Sequence, residues 1–299
     1  MNTTAQVQAV PAAKTVKKRS QSAEVWRRLR RNKSAMIGLA ILLILVAMSV
    51  CADFIADYDE VVINQNISMR CQPPSKDHIM GTDEFGRDVF GRLVHGSRIS
   101  LSVGVITVTM ALLIGGTLGA IAGFYGGKLD NVIMRIMDIF LAIPSILLSI
   151  TIVSALGASM FNLTLAIAIA TMPQYARLVR ASVLTVKDQE FVEAARCTGA
   201  RNYQLIFGHI LPNCMAPIIV QVTLKVAVAI LSTSSLSFLG LGVKPPSPEW
   251  GAMLSAGRTY LRTAPHITLF PGLAIIVTIL SLNLLGDGLR DALDPKLKQ

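Results

Sequence analysis

Few side chains in this sequence sit at spacings that could make or break covalent bonds. The four histidines, His78, His95, His209 and His266, are scattered and form no H-E-x-x-H pair, and no serine occupies a G-x-S-x-G turn. Cys51, Cys71, Cys197 and Cys214 show no C-x-x-C spacing, so neither a zinc site nor a redox pair is expected; a disulfide between Cys51 and Cys71 is conceivable. The only Gly-Lys step, Gly127-Lys128, is followed by Leu129 and has Ala122 where a phosphate-binding loop needs its first glycine. The chain is therefore not expected to bind ATP by such a loop of its own, nor to be an enzyme. What remains is a set of polar groups in apolar surroundings: Lys225, Ser232, Thr233, Ser234, Ser235 and Ser237 in one run and Asn283 in another. Hydroxyls at that depth either bond between helices or line a translocation path, and both readings stay open. Lys225 points toward a path, because a charged amine in apolar surroundings needs a partner or water.

The elements that would hold these groups are membrane helices. The chain of 299 residues is 52% apolar and only 15% charged, with a mean hydropathy of +0.55, and an integral membrane protein follows. Uncharged runs of about 20 residues or more are long enough to cross the hydrocarbon. Such runs occupy Ala35 to Ala52, Ile99 to Gly127, Ile139 to Ala176, Asn213 to Val243 (interrupted by Lys225) and Thr263 to Gly286. The third is too long for one span, and Gly157-Ala158-Ser159 divides it, giving six transmembrane helices and an all-α fold. Nineteen of the 28 lysines and arginines then fall on the side of the N-terminus and eight on the other, which orients the chain N-in and C-in.

Four regions follow from this pattern: a basic cytoplasmic tail (1–33), a first span with a long external segment (34–98), a core of five spans with a cytoplasmic loop (99–287, the loop at about 186–212), and a C-terminal cytoplasmic tail (288–299). Most of the net charge of +10 gathers in the first tail, next to an anionic leaflet, so membrane lipid and not nucleic acid is its expected partner. More than thirty residues precede the first span and Cys51 lacks a small residue immediately before it, so the span is expected to be retained, without a lipid anchor.

Between the spans, the external segment ends in a cap at Gly81-Thr82-Asp83 followed by Val89, Phe90, Leu93 and Val94, a pattern for a short amphipathic elbow helix at the interface. Gly115, Gly119 and Gly123 recur every four residues and mark a close helix contact. Arg135 and Asp138 are spaced to pair on one helix face. Thr185 with Asp188 reads as a capped start of a helix that Gly199 ends; a second helix then resumes from Asn202 until Pro212 opens the fifth span. Such a polar, small-residue helix pair serves as a protein dock or as a passive surface element. The loop containing Pro246, Glu249 and Trp250 reads as a rigid external loop, serving as a contact for an external partner, a lid or an anchor.

Glu193-Ala194-Ala195, Gly199 and Leu211-Pro212 resemble the EAA loop of ABC importer permeases, E-A-A-x3-G-x9-I-x-L-P, with His209 at the isoleucine position. GTDEFGRDVFGRL, GFYGGKLDNVIMRIMDI, PPSPEWGAML, FPGLAI and NLLGDGLRDALDPKLK are similar to the second, C-type permease subunit of the dipeptide/oligopeptide/nickel importer family, over nearly the whole chain from Trp26. The resemblance is closest to the dipeptide members. It implies a type I ABC importer permease in a prokaryotic cell membrane, paired with a second homologous permease, two cytoplasmic ATPases that bind ATP and magnesium, and an extracytoplasmic binding protein. It also implies that Glu193, Ala194, Ala195, Gly199, Leu211 and Pro212 form the ATPase-coupling segment. Di- or oligopeptide import is the function implied, with a nickel chelate as the alternative cargo. An ion-driven secondary transporter fits less well, because no inverted repeat is visible and the span interiors hold no Asp or Glu. A purely structural membrane subunit is the third reading.

Overall fold

The computed structural model describes residues 21–243 and 246–293. Most of the basic N-terminal tail and the last six residues of the C-terminal tail lie outside the described residues.

Apart from short turns of helix at Ala52–Ile55, Tyr58–Ile63, Ile67–Met69 and Arg258–Tyr260, the order of helices is α1 (Gln21–Arg31), α2 (Lys33–Val50), α3 (Val89–Tyr125), α4 (Gly127–Ala142), α5 (Ser145–Leu156), α6 (Met160–Val186), α7 (Glu190–Cys197), α8 (Asn202–Gln204, Leu205–Ile210 and Leu211–Asn213 in succession), α9 (Met215–Phe238), α10 (Trp250–Gly257) and α11 (His266–Leu293). The expected all-α class holds: no β-strand occurs among the described residues, only a single bridge between Thr82 and Asp88. Helices α2, α3, α9 and α11 are each long and apolar enough to span a membrane, and α4 with α5, bent by 88° at their junction, counts as a fifth when the pair is taken as one broken span. The bend follows from Pro144, which caps α5 and keeps Ile143 in extended backbone. The expected sixth span is α6, which has 27 residues, uncharged from Met160 to Ala176 and carrying Arg177 and Arg180 in its second half. It qualifies by length but is less apolar than the other four, carrying Asn162 and Gln174 as well as the two arginines.

The break expected at Gly157-Ala158-Ser159 is present. Gly157 ends α5 with φ +90°, a conformation that costs other residues steric strain, and the Ser159 hydroxyl accepts from Asn162 N at 3.1 Å to start α6.

With lipid outside, packing and not water exclusion holds such helices together. Exposed apolar residues such as Ile37, Leu43, Ile44, Leu113, Leu147, Ile276 and Leu280 present the lipid-facing surface. The contacts run α2 on α11, α11 on α9, α9 on α3, and α3 and α5 on α6. The glycine stripe of α3 brings its backbone close to that of α6. A Cβ on Gly115 would lie 2.2 Å from Met172 O, one on Gly119 2.2 Å from Ala176 O, and one on Gly123 3.0 Å from Arg180 O. Residues 172, 176 and 180 repeat at four, so two i, i+4 rows interlock.

Two expectations need correction here, and one open question is answered. The amphipathic elbow is not a separate interfacial helix: Val89, Leu93, Val94, Arg92 and His95 are the buried first turns of α3, packed inside protein. Arg135 and Asp138 do not pair. Asp138 accepts instead from Arg177 Nη2 at 2.6 Å, an ion pair from α4 to α6 that spacing within one helix does not reveal. Cys51 and Cys71 are both free.

Both described ends lie together, because Asn32 Nδ2 donates to Asp291 Oδ2 at 3.3 Å and Leu29 and Ala35 pack with Leu285 and Ala292. That agrees with termini on one side of the membrane.

Candidate functional site

The EAA segment forms a bracket at the end of α6. Helix α7 shows Glu190 and Glu193 in its first turn and Arg196 in its last, each sign at the helix end that favours it. Its start is not as expected: Thr185 is still inside α6, donating to Ser182 O at 2.8 Å, and Gln189 occupies the cap position with its side chain donating back to Thr185 O at 3.2 Å instead of capping. The stop is as expected. Gly199 has φ +88°, and Gly199 N and Ala200 N return to Arg196 O and Ala195 O at 3.0 and 3.1 Å. Helix α8 continues through Pro212, and the spanning helix α9 begins only at Met215, after a break at Cys214. Pro212 sits in the first turn of the last short helical piece, where its missing N–H costs nothing.

The bracket is two-faced. Val192, Leu205, Ile206 and Ile210 are buried with Val179, Val183 and Val186 of α6 and with Ile218 of α9. Glu193, Ala194, Arg196, Cys197 and Gly199 are exposed, Ala195 and Leu211 are half-buried, and Pro212 is exposed. One side of each short helix is thus anchored to two spanning helices, and the other is left uncovered. The sequence reading missed Tyr203 and Phe207, which are 57% and 59% exposed. They are four residues apart on the free side of α8 and, with Thr198, Gly199 and His209, border a concave surface of ≈ 610 Å³. The available signal was an aromatic pair at i, i+4 out of phase with Ile206 and Ile210.

Two ion pairs brace the floor beneath this bracket. Asp130 of α4 accepts from Arg180 Nε and Nη2 of α6 at 2.5 and 2.6 Å, and Asp138 accepts from Arg177. Both arginines lie on the helix from which the bracket hangs.

The polar groups of α9 do not share a face. At about 100° per residue, Ser232 returns to within about 20° of Lys225 and Ser235 lies about 80° away, whereas Ser234 is on the opposite side. Ser234 is buried, with its backbone against Gly251 of α10, whose added Cβ would lie 2.5 Å from Ser234 Cα. Lys225, Ser232 and Ser235 are half-buried and Asn283 of α11 is exposed. The hydroxyls of Thr233, Ser234, Ser237 and Tyr175 are buried without a hydrogen-bond partner among the described residues.

At the external end, the expectation of a partner contact at Glu249 and Trp250 is overturned. Both are 0% exposed. Glu249 caps α10 by accepting from Gly251 N and Ala252 N at 2.9 and 2.8 Å, and Trp250 Nε1 donates to Leu93 O at 3.0 Å. Pro246 alone of the three is exposed, and its carbonyl accepts from Arg92 Nη1 at 3.4 Å. Arg92 and Arg87 both reach Asp83, at 3.3 and 2.7 Å. Burial and the neighbouring Asp83 push the Glu84 carboxyl above its ordinary range. This end is a sealed polar knot tying the external segment to α3 and α11, the latter through His266 Nε2 at 3.1 Å from Thr82 O.

Comparison with known proteins places this architecture. Residues 115–299 match the family described as binding-protein-dependent transport system inner membrane component, and residues 20–74 match the N-terminal TM domain of oligopeptide transport permease C. The chain is 50% identical over 277 residues to the dipeptide transport system permease protein DppC of Alkalihalophilus pseudofirmus, covering 92% of this chain and 90% of that one. It is 46% identical to the di/tripeptide transport system permease protein DppC of Pseudomonas aeruginosa, covering 92% of each. The glutathione transport system permease protein GsiD of Pectobacterium atrosepticum is 44% identical, over 92% of this chain and 91% of that one. Among solved structures, a chain of the inward-facing MetNI methionine ABC transporter superposes with a TM-score of 0.56 at 18% identity, over 69% of this chain and 97% of the other, a likeness of fold alone. With the family match spanning most of the chain and the fold agreeing, this multi-pass protein belongs to the binding-protein-dependent transport system inner membrane components, the permeases of ABC importers.

Proposed function

We propose that this chain is one of two membrane subunits of an ATP-driven importer of small peptides, and that α7 and α8 transmit the work of a cytoplasmic ATPase to the spans. The observation that carries the reading is the two-faced bracket: its buried side is packed on α6 and α9, and its free side offers Glu193, Ala194, Tyr203 and Phe207 with no covering element among the described residues. A partner that moves this bracket must move both spanning helices with it. Nucleotide can bias the transporter only if the ATPase contacts the bracket differently in the two states, so the free side is where that difference enters.

Peptide cargo is supported by relatives named for dipeptides, di/tripeptides and glutathione at 44–50% identity. A loaded extracytoplasmic binding protein would deliver it to the sealed external end, and the peptide would pass between this chain and a homologous permease. The half-buried Lys225, Ser232 and Ser235 are the groups of α9 best placed to meet it, with Asn283 of α11. ATP and magnesium belong to the separate ATPase subunits in this scheme. The ion-driven alternative is set aside by family membership.

The test is peptide uptake by vesicles holding the assembled complex, with Glu193→Arg or Phe207→Ala in this chain. Loss of uptake with the complex still assembled supports the reading; normal uptake by both variants contradicts it.

A further inference from the structure

A second surface on the cytoplasmic side is not used by the coupling scheme. Helix α1 packs its Val25 and Leu29 with Ala35 and Ala292, drawn close by Gly288, whose added Cβ would meet Ala35 Cβ at 2.1 Å. Between α1 and the end of α11 lies a groove of ≈ 390 Å³ bordered by Arg27, Arg28, Arg31, Asn32 and Asp291. Within it Arg28 is bound to Glu24 at 2.6 Å and Asn32 donates to Asp291. Arg27 and Arg31, four residues apart on one helix face, are exposed and pair with no carboxylate among the described residues.

The sequence before α1 does not offer a counter-charge: residues 1–20 contain Lys14, Lys17, Lys18 and Arg19 and no acid, and Asp294 is the one acid beyond α11. The groove lies where α2 begins its span at Lys33, and Trp26 on the neighbouring side of α1 is 51% exposed, the kind of aromatic that settles at headgroup level. From this we propose that the groove between α1 and α11 binds the phosphate headgroup of an anionic phospholipid of the cytoplasmic leaflet, held by Arg27 and Arg31 with Trp26 set in the headgroup layer. Basic surfaces next to a span attract such lipids, each cation strengthening the attraction about fivefold.

The chain has two tryptophans, and Trp250 is fully buried at the other end of the molecule. Brominated-lipid quenching of Trp26 is therefore readable, with Trp26→Phe giving the background. The assembled transporter would be placed in phosphatidylcholine vesicles doped with brominated phosphatidylglycerol or, separately, brominated phosphatidylcholine. The expected result is preferential quenching by phosphatidylglycerol that weakens at least tenfold in Arg27→Gln/Arg31→Gln and much less in Arg30→Gln/Lys33→Gln, a pair removing the same charge outside the groove. Equal loss in both pairs would mean a diffuse surface field and overturn the site. Equal quenching by the two lipids would also overturn it, and full displacement by millimolar inorganic phosphate would assign the groove to free phosphate instead.

Discussion

Arg180 grips both carboxylate oxygens of Asp130, at 2.5 and 2.6 Å, across 50 residues of sequence. The pair joins α4 to α6, the helix that carries the α7–α8 bracket. Paired carboxylate and guanidinium planes fix direction as well as distance, so α4 and α6 are held in one orientation just where force would enter.

Asp130→Ala is expected to cost about 1 kcal/mol of stability, the range for a partly exposed pair, and to loosen the α4–α6 contact. A double-mutant cycle with Arg180→Ala, read by thermal unfolding of the purified complex, should show the two losses to be less than additive. Additive losses would mean the pair contributes nothing.

Gly119→Val should be far more damaging, since even a Cβ would sit 2.2 Å from Ala176 O. Overpacking of this kind costs about 1–3 kcal/mol or more, and here it pries two spans apart. Gly272→Ala is the matched control, because its Cβ would meet Leu254 at an ordinary 3.7 Å. Yield and Tm of the two variants should separate clearly.

Thr233→Val and Ser237→Ala are expected to be neutral or to stabilise by up to about 1–2 kcal/mol, because they remove buried hydroxyls that have no partner among the described residues. A marked fall in Tm for either would show that the hydroxyl is satisfied in the assembled transporter by water or by the second permease.

Gly199→Ala should leave the membrane core intact, since nothing lies within 4 Å of the added Cβ, but it places a side chain at φ +88° at a cost of about 1–2 kcal/mol. The strain falls on the hinge between α7 and α8, so ATP-driven uptake should drop severalfold while Tm shifts by only a few degrees. Unchanged uptake would show that the angle between the two short helices does not matter.

Elements that repeat locally were legible in the sequence. The glycine stripe of α3, the break at Gly157, the stop at Gly199 and the free face around Glu193 all depend on spacing within one segment, and all are found where the pattern put them. What could not be read depends on distant partners. Asp138 looked as if it belonged to Arg135, three residues away, but the better-placed cation is Arg177 on another helix. Trp250 looked interfacial because a tryptophan after a proline-rich loop usually is; only the approach of Leu93 O shows it to be buried. Serines crowded in one run of sequence are spread around the helix, with Ser234 buried beside Gly251 of α10 and Ser232 half-buried.

The central claim is that the α7–α8 bracket couples ATP hydrolysis elsewhere to movement of these spans. ATPase activity of the co-purified complex in nanodiscs, with and without a dipeptide-loaded binding protein, tests it most directly. Stimulation by the loaded binding protein that disappears with Glu193→Arg, while the subunits remain associated, is the predicted result. A complex that is stimulated equally with and without that substitution would contradict the account.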